Sequence, residues 1–278
     1  MLSYQHGFHA GNFADLHKHV VLTALLTALN AKNKPWSYLE THSGRALYNL
    51  ADDQSQKTGE YREGIERLWQ QASADGLATY RGLIEQLNPD GVLSVYPGSP
   101  MLAQLMARAD DRIRLMELHP AEFDVLRAVF SDDARVAVHH RDGYEGVLSQ
   151  LPPMPRRGMV LVDPAYEVKD EYEAVPRFLG KAQRRWATGI YAIWYPLLAA
   201  NRWQSMVEQV AQVSTASVLC SEFRAADVDA GGMYGSGMLI VNAPWQLDQR
   251  LAEQLPILAR LLGLAESAPT LNWLVKPT

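Results

Sequence analysis

The sequence predicts an α/β protein whose core is a mostly parallel sheet with helices on both faces. From about residue 112 onward, short apolar runs alternate with amphipathic runs, and this alternation is typical of strands joined by crossover helices. The 278 residues, of which 47% are hydrophobic, suffice for a full apolar core. Residues 49–91 lack strand signals, which indicates that a small helical insertion interrupts the pattern.

Two elements precede this insertion. Apolar residues at helical spacing, followed by a lysine-rich segment before Pro35, predict a helix over residues 14–31. The segment PWSYLETHSG then indicates a short strand that opens into a loop. The insertion itself contains amphipathic runs such as EYREGIERLWQQ. We therefore predict a sheet domain over residues 1–48 and 92–278 and a helical insertion subdomain over residues 49–91.

After the insertion, helices and strands alternate regularly. Ser99 is placed to cap a helix that has Pro100 in its first turn. Four predicted strands follow, RIRLMEL, ARVAVHH, GMVLVD and GIYAIWYP, separated by the helices PAEFDVLRAVF, YEGVLSQL and YEAVPRFLGKAQRRW. A last helix, LAANRWQSMVEQVAQV, leads to the strands TASVLCSEF and GMLIVNAPW. We expect these two strands to form an antiparallel pair across the glycine-rich connector DAGGMYGSG and to complete the sheet.

Composition excludes several classes of protein. A single cysteine, Cys220, rules out an internal disulfide framework. No run approaches the roughly 18 apolar residues of a membrane span, and the start MLSYQHGFHAGNF lacks the charged leader and apolar core of a signal peptide. We therefore expect a cytoplasmic protein. The formal charge of −5 argues against a broad basic surface and leaves room only for local basic patches.

Acidic residues follow several of the predicted strands. Ligands of open parallel sheets bind beyond the carboxyl ends of the strands. Glu117 ends the second strand of the sheet, and Asp142 and Gly143 follow the third. A carboxylate at the first position can accept both hydroxyls of a ribose, and one at the second can accept an adenine amino group. The pattern thus indicates a nucleoside-binding crevice.

The fourth strand ends in the motif DPAY, residues 163–166. The exocyclic amine of a base is a poor nucleophile because its lone pair is conjugated with the ring. The Asp163 carboxylate and the Pro164 carbonyl are spaced to hold both amine hydrogens and to turn the lone pair toward an electrophile. We expect Tyr166 to be exposed here and to stack on a base that has left its helix.

At this point the residues resemble a known family. DPAY is similar to the D-P-P-Y motif of amino-methyltransferases that use S-adenosylmethionine. The segments MLSYQHGFHAGNFADLHKH, ETHSGRALY, TGEYREGI, YPGSP, ELHP, DGY, RRGMVLVDPAYE and GIYAIWYP together resemble the RlmJ family over essentially the whole chain. The resemblance implies a Rossmann-like class I methyltransferase sheet with a small helical insertion. It also implies S-adenosyl-L-methionine-dependent methylation of an adenine amine in 23S ribosomal RNA.

The resemblance also implies a set of site residues. The family's cofactor contacts fall on His19, His42, Ser99, Glu117, Asp142 and Gly143, with Asp163 both at the cofactor and catalytic. The aromatic residue that handles substrate falls on Tyr4. We predict 23S ribosomal RNA as the partner, with no metal and no membrane, and a chain that acts as a monomer.

Two positions depart from the family pattern. Ala46 stands where the loop after the first strand carries a second glycine, and its methyl group fits if the backbone there keeps a negative φ. Ala165 replaces the second proline of the motif, so the Pro164 carbonyl is retained and the loop is less stiff.

RNA binding by an acidic protein requires local cations near the crevice. Arg156 and Arg157 precede the strand that carries Asp163, so topology places them at its opposite end. We therefore predict substrate contacts from Arg62 and Arg67 in the insertion. The sequence leaves three uses open for Lys18, namely a contact with the cofactor carboxylate, a contact with an RNA phosphate, or simple solvation.

Two other functions stay open on the sequence. A member of the family that has lost catalysis would bind RNA alone. The eight histidines suggest a metal-dependent hydrolase, but spacing opposes it, because residues two apart on a helix, such as His17 and His19, point about 200° apart. His139 and His140 likewise alternate across a strand.

Overall fold

An eight-stranded sheet forms the centre of the protein in a computed structural model that describes residues 5–71, 76–228 and 231–277. The strands of the chain are β1 (Ser37–Glu40), β2 (Leu47–Asn49), β3 (Val95–Pro97), β4 (Arg112–Glu117), β5 (Val136–His140), β6 (Gly158–Val162), β7 (Ile190–Leu198), β8 (Val218–Arg224), β9 (Met233–Val241) and β10 (Pro269–Val275). The order in the large sheet is β5-β4-β1-β6-β7-β9-β8-β10, and β2 pairs with β3 alone.

The strand directions divide this sheet into two parts. Strand β1 pairs in parallel with β4 and β6, and the parallel pairing continues to β5 on one side and β7 on the other. Strand β9 is antiparallel to both β7 and β8, and β10 is antiparallel to β8. The carboxyl ends of five neighbouring parallel strands therefore meet at one edge. The predicted α/β class and the predicted antiparallel pair are confirmed.

Helices cover both faces of the sheet. They are α1 (Phe13–Asn30), α2 (Asp53–Thr58), α3 (Ile65–Trp69), α4 (Ala78–Leu87), α5 (Ser99–Met106), α6 (Pro120–Val129), α7 (Gly143–Ser149), α8 (Glu171–Arg185), α9 (Arg202–Val213) and α10 (Leu247–Leu261). Apolar side chains of α1, α4, α5, α6 and α10 pack in one core, and those of α7, α8 and α9 pack in a second. The cores lie on opposite faces because neighbours on a strand alternate, so that Tyr38 belongs to the first and Leu39 to the second.

Helix α1 is buried along almost its whole length. Asn12 caps it, because its side-chain oxygen accepts hydrogen bonds from the backbone N–H groups of Ala14 and Asp15 at 3.0 Å each. The helix runs from Phe13 to Asn30, within one residue of the predicted ends at both sides. It packs against α5, α10 and β9, and its amino-terminal half carries buried polar residues as well as apolar ones.

The stretch from residue 49 to 91 contains α2, α3 and α4. Strands β2 and β3 lie at its two ends and pair with each other in an antiparallel manner. The sequence analysis missed both of these strands, which have only three residues each. Ile65 and Tyr80 from this stretch lie in the same apolar core as α1. The division of the chain into a sheet domain and an insertion subdomain stays a prediction.

The end of the chain differs from the prediction. Helix α10 and strand β10 follow β9, and the sequence analysis missed both. Pro256 inside α10 and the half-exposed alternation of β10 weaken the usual signals. Strand β9 also begins earlier, at Met233, so the predicted connector is partly strand. A Cβ at Gly237 would lie 2.1 Å from the Tyr195 ring, so glycine is needed where that ring covers the strand.

A buried carboxyl group joins the end of β1 to the start of α5. Glu40 is fully buried, and it accepts hydrogen bonds from the Tyr38 hydroxyl at 2.8 Å and from the Ser99 hydroxyl. The predicted role of Ser99 as a helix cap is therefore wrong, because α5 begins at Ser99 and its side chain points to Glu40. Burial raises the pKa of Glu40 to about 8, so this group is mostly protonated at neutral pH.

Replacing Glu40 by glutamine is expected to change how stability depends on pH. The carboxyl group has a pKa of about 4.5 when unfolded and about 8 when folded, so its stabilising contribution is complete below about pH 4.5 and is lost as pH rises through 8. Between these values the unfolding free energy of the wild type should fall relative to that of Glu40→Gln, by at most about 1.4 kcal/mol per pH unit. Urea unfolding of both proteins at pH 5, 6.5 and 8 measures the difference. If the unfolding free energies of the two proteins changed equally with pH, Glu40 would be ionised in the folded protein over this range.

Candidate active site

A cleft of about 330 Å³ opens at the edge of the sheet where the parallel strands end. The loops after β1, β4 and β6 and the carboxyl end of β7 form its floor, and residues of α1 and of the segment before it form one wall. This is the edge at which ligands bind in open α/β sheets. The cleft is therefore the place where the predicted site residues are to be located.

The loop after β1 has an unusual backbone. Gly44 has φ +59° and Ala46 has φ +68°. The negative φ that was set as the condition for accommodating the Ala46 methyl group is therefore not present, and the left-handed conformation costs an L-residue about 1–2 kcal/mol. The surrounding structure holds Ala46 in place, because its side chain is buried and its carbonyl accepts a hydrogen bond of 2.7 Å from the Gly98 N–H.

Glu117 lies at the end of β4 against this loop. One carboxylate oxygen accepts a hydrogen bond of 2.8 Å from the Gly44 N–H, and the other accepts one of 2.7 Å from the His119 N–H. Burial raises the pKa of Glu117, and these two backbone donors oppose the rise. Each oxygen keeps a second lone pair, so Glu117 retains capacity for two hydroxyl donors in the cleft.

Asp142 and Gly143 lie behind the β1 loop. The Asp142 side chain caps α7 by accepting a hydrogen bond of 2.9 Å from the Glu145 N–H. A Cβ at Gly143 would lie 1.9 Å from the Thr41 carbonyl oxygen, so only glycine permits this approach of the two loops. Within the described ranges, neither residue lines the cleft. Their predicted contact with a cofactor stays a prediction.

Two neutral histidines face the cleft. His42 shares a hydrogen bond of 2.8 Å with the Thr41 hydroxyl, and burial lowers its pKa to about 4. His19 shares one of 2.8 Å with the Tyr96 hydroxyl, and burial lowers its pKa to about 3. At neutral pH both rings are uncharged, so they offer hydrogen bonds and ring surface to a ligand and no positive charge.

Asp163 stands in the cleft with Lys18 as its partner. The Lys18 ammonium donates to an Asp163 oxygen at 2.7 Å and lies 3.0 Å from an oxygen of Asp15. Lys18 is only 5% exposed, so simple solvation, one of the three uses that the sequence left open, is wrong. Pro164 and Ala165 line the cleft directly after Asp163.

Tyr166 is not exposed as expected. Only 7% of it is accessible, its hydroxyl donates to the Trp194 carbonyl at 2.8 Å, and its ring packs 4.6 Å from that of Tyr172. Its φ of +55° turns the side chain back into the core, where apolar contact and the hydroxyl hydrogen bond both favour it. In this conformation the ring cannot stack on a base.

Sequence reasoning missed an apolar wall of the cleft. The half-buried Trp194 ring lines the cleft together with Pro196, Leu198 and Met233. The Trp194 indole N–H donates to the Ser236 hydroxyl at 2.9 Å, which fixes the ring. The available signal was position, since Trp194 lies near the carboxyl end of β7, at the same edge as Asp163.

The segment before α1 closes the cleft on the other side. His6 and Asp15 share a hydrogen bond of 2.9 Å, as do His9 and Glu60, and these side chains, except Glu60, line the cleft. Asp15 and Glu60 were not singled out from the sequence, whereas the two histidines are among the eight considered there and lie in a segment that carries the family resemblance. The predicted substrate residue Tyr4 lies outside the described residues.

Arg62 and Arg67 lie away from the cleft floor. Arg62 is exposed, donates to the Gln56 side chain at 2.9 Å and stacks over the Tyr61 ring. Arg67 donates to the Leu262 carbonyl at the end of α10 and to Glu63. A contact between either arginine and substrate stays a prediction, and Arg67 already has partners within the fold.

The histidines of α1 point to different partners. His17 is held between the hydroxyls of Ser221 and Ser236 at 2.9 and 3.0 Å, whereas His19 meets Tyr96. Among residues 5–71, 76–228 and 231–277, no group of three or more histidines, cysteines or carboxylates is arranged to hold a metal ion.

No helix in this part of the chain is long and apolar enough to span a membrane.

Unpartnered polar atoms mark one end of the cleft. The Ser43 hydroxyl and the His119 Nδ1 atom are buried and have no hydrogen-bond partner within the described part of the chain. Both residues line the cleft on either side of Glu117 in sequence, in the two loops that Glu117 joins. Because buried polar atoms are normally paired, this end of the cleft is suited to a polar ligand.

Comparisons with known proteins agree with the geometry. A family model described as ribosomal RNA large subunit methyltransferase D, RlmJ, matches residues 33–275. The chain is 40% identical to ribosomal RNA large subunit methyltransferase J of Escherichia coli over 99% of both chains. It is 43% identical to the protein of the same name from Haemophilus influenzae over 94% of both chains.

The fold is shared with a solved structure. The crystal structure of a Legionella pneumophila protein matches with a TM-score of 0.86 and 35% identity, over 95% of this chain and 97% of the other. The sequence matches extend over nearly the full length of the relatives, and the cleft contains the motif residues that first suggested the resemblance. The chain therefore belongs to the RlmJ family of large-subunit ribosomal RNA methyltransferases.

Proposed function

We propose that this protein is an S-adenosyl-L-methionine-dependent methyltransferase that places a methyl group on the exocyclic amine of an adenine in 23S ribosomal RNA. The observation that carries the proposal is the position of Asp163 and Pro164 in the cleft at the carboxyl end of β6, in a chain of the RlmJ family. Both curated relatives are named large-subunit ribosomal RNA methyltransferases. A ribosomal RNA substrate also supports the predicted cytoplasmic location.

The cofactor fits the end of the cleft around Glu117. The two spare lone pairs of the Glu117 carboxylate suit the vicinal hydroxyls of a ribose, and the unpartnered Ser43 hydroxyl and His119 Nδ1 atom can bond further polar groups. His42 and Gly44 would lie beside the same ligand. When bound, S-adenosylmethionine supplies an activated methyl group on its sulfonium.

Asp163 and Pro164 hold the amine that accepts the methyl group. One Asp163 oxygen is engaged by Lys18, so the other oxygen and the Pro164 carbonyl are the acceptors for the two amine hydrogens. Held in this way, the amine lone pair leaves conjugation with the ring and can attack the methyl carbon. The new N–C bond would form as the C–S bond breaks and the thioether S-adenosylhomocysteine leaves, and the methylated amine would release one proton to the Asp163 oxygen that accepts it. Alignment of this kind is worth effective molarities of about 10⁵ M or more. The Asp163 carboxylate also stabilises the positive charge that develops on the amine nitrogen.

The apolar wall on the other side of Asp163 is suited to the adenine ring. Trp194, Pro196 and Leu198 come from the end of β7, and Met233 comes from the start of β9. A base that leaves its RNA helix exchanges stacking on its neighbours for contact with such a surface. Because Tyr166 is buried, Trp194 is the better candidate for the stacking role that the sequence analysis gave to Tyr166.

The chemistry can be tested by nucleoside analysis. Purified protein, isotopically labelled S-adenosylmethionine and unmodified 23S RNA are incubated, and digested nucleosides are identified by mass. We expect label on the exocyclic amine of adenine, and Asp163→Ala should abolish it because the amine loses one acceptor. Calorimetry of Asp163→Ala should show an affinity for S-adenosylmethionine within a few-fold of that of the wild type. Cofactor binding without turnover by the wild type would identify a non-catalytic RNA-binding protein instead, and label on another base would overturn the substrate.

Glu117→Ala should act mainly on the cofactor. Loss of a charged acceptor for two hydroxyls is expected to weaken cofactor binding by about 1.5–3 kcal/mol. Isothermal titration calorimetry of the variant and of Glu208→Ala, an exposed acid on α9, gives the comparison. An unchanged affinity would remove Glu117 from the cofactor site.

Charge reversal tests where RNA lies on the surface. Arg62→Glu should weaken RNA binding and lower the slope of log K against log salt by about 0.7–0.9 for the lost phosphate contact, with unchanged cofactor affinity. Arg156→Glu is the matched control, because Arg156 is equally exposed and precedes β6 at its amino end, away from the cleft. A larger effect of Arg156→Glu on RNA binding would place the RNA at the opposite edge of the sheet, where the parallel strands begin.

A further inference from the structure

A buried carboxylate outside the DPAY motif is joined to the catalytic aspartate through one lysine. Asp15, in the first turn of α1, is 2% exposed and accepts hydrogen bonds of 2.9 Å from His6 Nε2 and from the Gly11 N–H. The Lys18 ammonium lies 3.0 Å from the second Asp15 oxygen and 2.7 Å from Asp163. Three short contacts thus connect the segment before α1 to the end of β6.

Neighbouring charges keep the buried Asp15 carboxyl group ionised. Burial on its own would raise the pKa of Asp15, but the nearby charges of His6 and Lys18 lower it, and the net pKa is well below the ordinary value. Asp15 also lies in the first turn of α1, where the helix dipole favours a negative charge. Lys18 therefore stands between two carboxylates, and each limits how far the ammonium can move toward the other.

This position of Lys18 matters for Asp163. An ammonium bound to one carboxylate alone is free to move onto both of its oxygens and to occupy the acceptor that an amine needs. Held by Asp15 as well, Lys18 engages a single Asp163 oxygen, as the structure shows. The Lys18 ammonium also lies over the Trp194 ring, 5.7 Å from the ring centre, and the residue is buried, so its side chain has little other freedom.

We propose that Asp15 is a positioning residue that fixes Lys18, and through it the orientation of Asp163, when residues 5–12 are packed on α1. Asp15 does not touch the reacting atoms in this proposal, which rests on the proposed methyl transfer. The packing of that segment is visible in contacts with the insertion, since Ile65 N–H donates to the Gly11 carbonyl at 2.8 Å and Asn12 donates to Glu60 at 2.9 Å. Order in this segment is thereby linked to the geometry of the amine acceptor.

Asp15→Asn tests the proposal because it removes the charge and keeps the shape. We expect kcat for RNA methylation to fall about 10- to 100-fold, since a displacement of about 1 Å at a reacting group can lower a rate about 10²-fold. The KM for RNA and the calorimetric affinity for S-adenosylmethionine should stay within about 3-fold. Asp53→Asn, in the first turn of α2, is the matched control and should retain wild-type kcat.

A double-mutant cycle separates positioning from a structural role. In a Lys18→Met background, Asp15→Asn should lower the single-turnover rate by less than about 3-fold, because the lysine through which it acts is gone. Independent losses in the double variant would show that Asp15 acts through His6 and the Gly11 backbone alone, which would overturn the proposal. A wild-type kcat in the single variant would overturn it as well.

A second pair of variants covers failure to fold. If Asp15→Asn melts before the assay temperature, Asp15→Glu and Asp15→Gln are compared, since they have the same shape and differ in charge. The glutamate variant should be at least about 5-fold faster, and equal rates would contradict the proposal. Wild-type protein that binds cofactor and methylates no RNA would count against the proposed function, whereas an active wild type with additive variants would count only against Asp15.

Discussion

Burial of charge at the start of α1 is the constraint on which the cleft depends. Asp15 and Lys18 are buried and Asp163 is partly buried in the cleft, and a buried charge is tolerable only when it is paired and hydrogen-bonded. The amino end of α1 must therefore stay against the end of β6. The segment before the helix must also stay packed, because His6 and the Gly11 N–H complete the pairing of Asp15.

Close contacts between loops determine the geometry of the other end of the cleft. Glu117 binds the β1 loop through the Gly44 N–H, and the loop after β5 touches that loop where Gly143 meets the Thr41 carbonyl. Ala46 adopts a left-handed backbone conformation in this loop. The loops of three strands are thus fixed by contacts that involve the backbone, and the residues Glu117, Ser43 and His119 line the cleft between them.

The two ends of the cleft differ in chemistry, and the difference matches two nucleoside-like ligands. The Glu117 end offers hydroxyl acceptors and unpartnered polar atoms, whereas the Trp194 end offers an apolar wall. Asp163 and Pro164 lie in the same cleft, at the end of the strand next to β1. A methyl donor and an amine acceptor bound at opposite ends would meet at these residues. The strand order produces this arrangement, because β4 and β1 lie on one side of β6 and β7 lies on the other.

The sequence by itself determined the α/β class, the parallel centre of the sheet, the ends of α1 and the acids at the ends of β4 and β6, because hydrophobic periodicity and strand ends are local features. The tertiary structure decided what those side chains touch. It bound the Tyr166 hydroxyl to the Trp194 carbonyl, turned Ser99 to Glu40, brought Trp194 into the cleft and joined Asp15 through Lys18 to Asp163, and it added α10 and β10. Each of these features depends on contacts between residues that are far apart in the chain. Local sequence patterns do not reveal such contacts or the free energy that they contribute.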